Sequence, residues 1–318
     1  ISHRESIRFF EKAIQLIIRF DLDLDKEILV ELLPYAGVSY CVNPQKGEYV
    51  YFIDYVKKKL GENIKKLNKN KISSFLDFCD ESNWVKISEL IVQQKMIELY
   101  PVICKKINES ENYNIELTNS LLNDVQRGIY ILKNNFKIFC SEVQIHIIEQ
   151  LSSMPKYQNW VLETAIKYKS SFKSEEYKKI LLVLLRLGYD KALDECIKLL
   201  SNNINSICSP SFAPPLTNYS DLKYLPKLII LLKTIWIYKD PFNYWIERTK
   251  DALKTMAEKN LEQCNAVNDA LCKMKNEEEK YISNLSYFID ELKIFDPRLK
   301  DAPISIAKAL DIIDKYNN

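Results

Sequence analysis

The sequence predicts an all-α protein, built as an irregular α-solenoid of HEAT-like helical hairpins in two sub-arrays. Apolar residues recur at spacings of three and four along nearly the whole chain, which is the pattern of amphipathic helices. No segment shows a convincing alternation of apolar and polar residues, as a half-buried strand would. Only 5 of the 318 residues are glycine, and this leaves few places where a phosphate could approach bare backbone. A compact helical bundle is the alternative architecture.

The helices follow one another with short connections. The first is predicted over residues 6–20, where five residues share one apolar stripe: Ile7, Phe10, Ile14, Ile17 and Ile18. Asp25 is expected to cap a second helix, which Pro34 ends. Further helices are predicted at residues 49–60, 71–79, 85–100, 102–107, 117–132, 141–151, 160–168, 174–187, 189–200, 222–238, 242–259, 261–274, 277–295 and 304–316.

One segment interrupts this series. Residues 202–220 hold three prolines with several Asn and Ser, so we expect a connecting loop with little regular structure. It separates an N-terminal helical array, residues 1–201, from a C-terminal one, residues 221–318. An array of this kind buries apolar stripes against neighbouring helices only and leaves long surfaces for a partner.

Composition excludes several classes of function. The chain has 45 Lys and Arg against 43 Asp and Glu, a net charge of +2, which disfavours a protein dedicated to coating nucleic acid or a membrane. No apolar run is long enough to span a bilayer. The eight cysteines are scattered and form no C-x-x-C pair, so we interpret them as buried free thiols of a cytoplasmic protein. Because the chain starts at Ile1 without a targeting signal, we expect it to be part of a longer polypeptide.

Motifs for catalysis, metal or cofactor binding are not found, and no catalytic residue, metal or cofactor is predicted. Phosphate-binding loops of the G-x-x-x-x-G-K-[ST] and G-x-G-x-x-G types are absent. Asp21, Asp23 and Asp25 resemble the start of a calcium loop, but Lys26 stands where that loop needs Gly and Leu32 where it needs Glu. His146 and Cys140 are six residues apart, on different faces of one helix, so a packed or surface histidine is favoured over a nucleophile pair.

Two clusters are candidate binding sites. The first is a lysine-rich run whose possible phosphate contacts are Lys57, Lys58, Lys59, Lys65 and Lys66, with a solvated surface as the favoured interpretation. The second surrounds the Asp240-Pro241 turn and could supply aromatic anchors for a protein partner, with helix packing as the favoured interpretation: Trp236, Tyr238, Tyr244 and Trp245.

Two stretches resemble the STAND-type NTPases, the group that includes the NACHT proteins. The opening segment resembles the family motif aromatic-x-His-x-Ser-hydrophobic-Arg-x-hydrophobic, through His3, Ser6, Ile7, Arg8 and Phe10. Ile1 and Phe9 stand where the family often has an aromatic and an acidic residue. Residues 224–293 resemble the C-terminal helical region of bacterial members, in the order Leu225, Pro226, Leu228, Ile229, then Asp240, Pro241, Phe242, then Ala252, Leu253, Met256, Ala257, then residues 284–289.

This resemblance implies a function for the chain. In the family the nucleotide-binding motifs precede this region, so the chain would be a non-catalytic sensor and the NTPase activity would belong to the parent polypeptide. Its partner would be a protein trigger, in antiviral defence or stress signalling, and oligomerisation would proceed through the parent NTPase. The alternatives are a free-standing helical scaffold that binds a protein or peptide, and, less favoured, a nucleic-acid-binding helical repeat.

Overall fold

A computed structural model describes residues 3–60, 69–78, 81–202, 213–237 and 244–277. The regular structure of these residues is helical apart from one short β-hairpin. This confirms the prediction that the fold is mainly α-helical. Contacts divide the chain into two compact units, Ile1–Ile147 and Ile148–Asn318. This division differs from the predicted one, which placed the boundary at residues 202–220.

The first unit contains α1 to α8 and the beginning of α9. The helices are α1 (His3–Phe20), α2 (Lys26–Glu31), α3 (Phe52–Leu60), α4 (Lys69–Phe78), α5 (Glu81–Gln93), α6 (Tyr100–Glu109), α7 (Asn114–Leu122), α8 (Arg127–Asn135) and α9 (Ser141–Ser152). Short 3-10 turns lie at Leu33–Tyr35, Ile97–Leu99 and Phe136–Ile138.

A β-hairpin precedes α3, and the sequence analysis missed it. β1 (Ser39–Asn43) pairs antiparallel with β2 (Glu48–Tyr51), so that Ser39 lies opposite Tyr51. In the turn, the Asn43 side chain accepts hydrogen bonds from the backbone of Gln45 and Lys46, and Gly47 adopts a φ of +63°. The helix predicted over residues 49–60 is therefore wrong for its first three residues and begins at Phe52. Strands this short give no sustained alternation.

The later helices of the first unit pack closely around α7. This helix contacts α5, α6 and α8, and Leu117 and Leu121 on α7 are fully buried. α8 approaches α7 closely at Gly128: a Cβ atom built there would overlap the Leu121 carbonyl oxygen and lie 2.8 Å from the Leu121 carbonyl carbon. A larger side chain would hold the two helices apart.

The second unit continues with α10 (Gln158–Tyr168), α11 (Ser174–Arg186), α12 (Asp190–Asn202), α13 (Leu225–Ile237), α14 (Tyr244–Ala257) and α15 (Leu261–Glu277). Helices adjacent in sequence, from α10 to α15, also pack against each other. The predicted hairpin of helices at residues 160–168 and 174–187 corresponds to α10 and α11, and Gly188 ends α11 with a φ of +76°. The helices predicted at residues 277–295 and 304–316 lie, apart from Glu277, outside the described residues.

The second half of the predicted loop is packed onto the second unit. Residues 203–212 lie outside the described part of the chain, and Thr217–Tyr219 form a 3-10 turn. Leu216 and Tyr219 are fully buried. The Tyr219 hydroxyl donates to the Tyr189 carbonyl at 2.9 Å, and the Asn218 amide donates to the Arg186 carbonyl at 2.6 Å. Residues 213–216 have no regular structure, and side-chain burial fixes the short turn that follows them. None of the helices in the described ranges is both long and apolar enough to cross a bilayer.

Candidate interaction surface

Helix α1 carries apolar side chains on two faces. The inner face is buried through Ile14 and Ile18, and α1 packs against β1 and α3. On the outer face Phe9 is 70% exposed, Leu16 48% and Phe20 60%. These three residues are separated by seven and four positions, so they lie on one stripe of the helix. A solvent-exposed apolar stripe of this kind is typical of a surface that binds another protein.

Contacts to the following turn and hairpin fix the position of α1. The Phe10 ring stacks on the Tyr35 ring with centroids 5.5 Å apart, and the Gln15 side chain donates to the Ser39 carbonyl at 3.2 Å. Burial, and then the nearby Glu11 carboxylate, raise the pKa of the Tyr35 hydroxyl. The outer stripe is thus presented by a helix that is held along its inner side. Only the inner stripe was predicted from the sequence, although the spacing of Phe9, Leu16 and Phe20 also indicates a second apolar stripe.

The acidic turn after α1 binds the lysines of α3. Lys58 Nζ lies 3.0 Å from Asp21 Oδ2, and Lys59 Nζ lies 2.6 Å from Asp23 Oδ1 and 3.3 Å from Asp21 Oδ1. Lys59 also donates to the Asp21 carbonyl at 3.1 Å. Asp21 has a φ of +48°, which is uncommon for a residue other than glycine and turns the chain sharply after α1.

Charge pairing perturbs the ionisation of both partners in this turn. The hydrogen bond from Lys58 holds the pKa of the Asp21 carboxyl below its usual value, against the effect of desolvation. The hydrogen bond to Asp23 raises the pKa of the Lys59 ammonium. Next to them, the Tyr55 hydroxyl donates to the Leu22 carbonyl, and the Lys59 ammonium lies 5.6 Å from the centre of the Tyr55 ring. Together, these hydrogen bonds and ion pairs join the α1–α2 connection to α3.

The lysines predicted to contact phosphates are therefore paired with carboxylates wherever the structure describes them. Lys57 pairs with Asp54 at 3.7 Å, and Lys58 and Lys59 pair with the acidic turn. Lys65 and Lys66 lie outside the described residues. Because each described lysine of this run already has a carboxylate partner, the observed pairing favours the interpretation of this run as a charged surface.

Of the four predicted aromatic anchors, the structure describes the side chains of Tyr244 and Trp245. Trp245 is only 2% exposed and belongs to the core, whereas the neighbouring Tyr244 is exposed. Trp236 lies in α13, but the structure does not describe its side chain. Tyr238 lies outside the described residues. The burial of Trp245 favours the helix-packing interpretation at that position, because a side chain in the core cannot contact a partner.

His146 is a packed histidine within the first unit. Its Nε2 atom lies 2.6 Å from the Asn119 side-chain oxygen, and burial lowers its pKa despite the nearby Glu116 and Glu142 carboxylates. Cys140 lies instead near the Asn114 amide, with Nδ2 and Sγ 3.9 Å apart. Across the described residues, no group of three or more His, Cys, Asp and Glu side chains is placed to hold a metal ion.

Comparison with protein-family models, with curated proteins and with solved structures finds no match to this chain. Function must therefore be argued from the surfaces described above.

Proposed function

We propose that this protein is a non-catalytic helical module that binds other proteins, as the C-terminal sensor region of a larger bacterial STAND-type NTPase acting in antiviral defence or stress signalling. The observation that supports the binding role is the exposed apolar stripe of α1, formed by Phe9, Leu16 and Phe20. Residues 1–10 resemble the segment that follows the NTPase region in this family, and this resemblance supports a STAND-type NTPase as the parent protein. Both observations concern one helix, because α1 (His3–Phe20) contains the resembling segment from His3 to Phe10 as well as the exposed stripe.

The stripe is suited to an intramolecular contact with the NTPase. Burying a Phe or Leu side chain completely contributes about 1.5–3 kcal/mol, so a surface that covers Phe9, Leu16 and Phe20 gains substantial free energy. Such a contact would hold the sensor in one arrangement. A trigger that binds the released arrangement more tightly would shift the equilibrium, whereas a trigger with equal affinity for both would not.

The sequence encoded upstream of residue 1 tests whether the parent protein is a STAND-type NTPase. We expect a G-x-x-x-x-G-K-[ST] loop between a strand and a helix there. A methionine codon directly before Ile1 would instead support the free-standing scaffold. This observation requires no knowledge of the trigger.

A binding measurement tests the surface. The 318-residue chain is mixed with the separately expressed upstream NTPase region, and the dissociation constant is measured for the native chain and for the double variant Phe9→Ser, Phe20→Ser. We expect at least about a tenfold loss of affinity, which corresponds to about 1.4 kcal/mol. The matched control is Ile230→Ser with Leu261→Ser, which removes two comparably exposed apolar side chains from the second unit. Equal weakening by both double variants would contradict the assignment of α1.

A further inference from the structure

The outer face of α8 and of the 3-10 turn that follows it combines positive charge with an exposed aromatic ring. Arg127, Asn134 and Lys137 are exposed, and Tyr130 is 59% exposed. The opposite side of the same segment packs into the unit through four residues: Gly128, Ile129, Leu132 and Phe136. The exposed residues are three, four and three positions apart, so they follow one face of the helix.

The charge of this face is not balanced locally. Residues 125–141 include Arg127 and Lys137 of this face and contain no Asp or Glu. Within the part of the chain that the structure describes, the side chains of Arg127 and Lys137 form no ion pair. This differs from the lysines of α3, each of which contacts a carboxylate.

The carboxylate that precedes α8 is engaged elsewhere. Asp124 Oδ2 accepts a hydrogen bond from the buried Tyr100 hydroxyl at 2.7 Å. Asp124 Oδ1 accepts hydrogen bonds from the backbone of Gln126 and Arg127 at 3.1 and 3.0 Å, and so stabilises the turn that leads into α8. Exposed Lys95, whose charge acts on Asp124, adds a further cation at this end of the helix. Both carboxylate oxygens of Asp124 are therefore already hydrogen-bonded to groups other than the Arg127 guanidinium.

We propose that the outer face of α8 binds single-stranded nucleic acid, with Arg127 and Lys137 on phosphates and Tyr130 stacked on a base between them. The two cations are ten residues apart, a span of about 15 Å along a helix, which gives room for several nucleotides. An aromatic ring between cations is the arrangement by which proteins hold unpaired bases. A duplex would offer Tyr130 no unstacked base, and an acidic peptide would use only the charges.

Fluorescence anisotropy with labelled oligonucleotides of about 20 uridines or thymidines tests the proposal on the full 318-residue chain. Two phosphate contacts predict that binding weakens about sevenfold or more between about 50 and 200 mM salt. The double variant Arg127→Ala, Lys137→Ala should lower the slope of log K against log salt by about 1.4. Tyr130→Ala should weaken binding about tenfold, and Tyr130→Phe should restore it because the ring is kept.

The matched control is Lys191→Ala with Lys198→Ala, which removes two exposed lysines from α12 and the same total charge. Control and test variants are compared at equal far-ultraviolet circular dichroism, so that unfolding is excluded as the cause. The proposal is overturned if no binding occurs at the lower salt concentration, or if the control weakens binding as much as the test variant. Displacement by poly-glutamate together with indifference to Tyr130→Ala would overturn it in favour of an acidic protein partner. The inference does not depend on the proposed function, since it concerns a different helix and a different ligand.

Discussion

Asp23 accepts a hydrogen bond from Lys59 at 2.6 Å, and this contact joins two charged segments that lie 36 residues apart in the chain. In sequence, one segment resembles the start of a calcium loop and the other a phosphate-binding patch. In the structure their charges neutralise each other at the junction of α1, α2 and α3. The same helix α1 that carries the exposed apolar stripe is thereby tied to the rest of its unit.

The first prediction concerns acid stability. Because the pKa of Asp21 is lowered in the folded state, its ionised form stabilises the fold above its ordinary value near 3.9, and this contribution is lost as the pH falls through the lower folded value. The raised pKa of Lys59 acts at the other extreme: its contribution is complete below the ordinary value near 10.4 and is lost as the pH rises through the higher folded value.

Chemical denaturation from about pH 6 to about pH 3 measures the acid limb. We expect the double variant Lys58→Ala, Lys59→Ala to show a smaller fall in the free energy of unfolding over this interval than the native chain. Lys191→Ala with Lys198→Ala on α12 is the control and should leave the pH dependence unchanged. An equal or steeper fall in the α3 variant would contradict a stabilising effect of this pairing.

The second prediction concerns the contact between α7 and α8. Gly128→Ala should destabilise the protein by about 3 kcal/mol or more, because the new methyl group meets the backbone of Leu121 and not a movable side chain. Gly47→Ala is the comparison: nothing lies within 4 Å of the added group, but the φ of +63° disfavours it by about 1 kcal/mol. Thermal and urea unfolding of both variants should reproduce this order, and a reversed order would contradict the close approach.

Sequence alone predicted the helical class and most helices, but residues 117–132 were predicted as one helix where the structure has two, α7 and α8. Particular residues illustrate the physical reasons. The periodic apolar pattern of α11 and the glycine after it define a helix and its end locally, so residues 174–187 were correctly assigned. The hairpin at Ser39–Tyr51 depends on short-range turn chemistry and on packing against α1, and neither produces a periodic signal. The pairing of Asp23 with Lys59 joins distant segments, so no local pattern could reveal that Lys59 already has a carboxylate partner.

The third prediction concerns the packed turn before α13. Tyr219→Ala should cost about 3–5 kcal/mol, because a fully buried aromatic ring is removed from beside Tyr224, whose ring centre lies 5.1 Å away. Tyr219→Phe keeps the ring and loses only the hydrogen bond to the Tyr189 carbonyl, so we expect about 1–3 kcal/mol. Equilibrium unfolding in urea gives both values. Equal costs for the two variants would mean that the hydroxyl, not the ring, holds this turn in place.

The fourth prediction concerns His146. Burial lowers its pKa, so its imidazole resonances should titrate below about pH 6.5 in a nuclear magnetic resonance experiment. Because the unfolded state binds the proton more readily, His146 reduces stability as the pH falls through that range. Asn119→Ala should shift the titration, since the Asn119 oxygen contacts Nε2. The chain has one other histidine, His3, so His146→Gln assigns the signals. A pKa above the ordinary value would contradict the desolvation of this half-buried ring.

The fifth prediction concerns thiol reactivity and separates the cysteines by burial. The six cysteines in the described ranges are reduced thiols; Cys104, Cys196 and Cys264 are buried, whereas Cys140 and Cys272 are exposed. Burial raises the pKa of the Cys104 thiol to about 12, so almost no thiolate is present near neutral pH, and the surrounding core also excludes the reagent. Brief treatment of the native protein with iodoacetamide should therefore modify Cys140 and Cys272 and spare Cys104, as peptide mass spectrometry would show. Denaturation in urea before treatment should make all of them react, because unfolding removes both the low dielectric surroundings and the barrier to access. Rapid modification of Cys104 in the native state would mean that α6 separates from α5 and α7 far more often than its buried contacts imply.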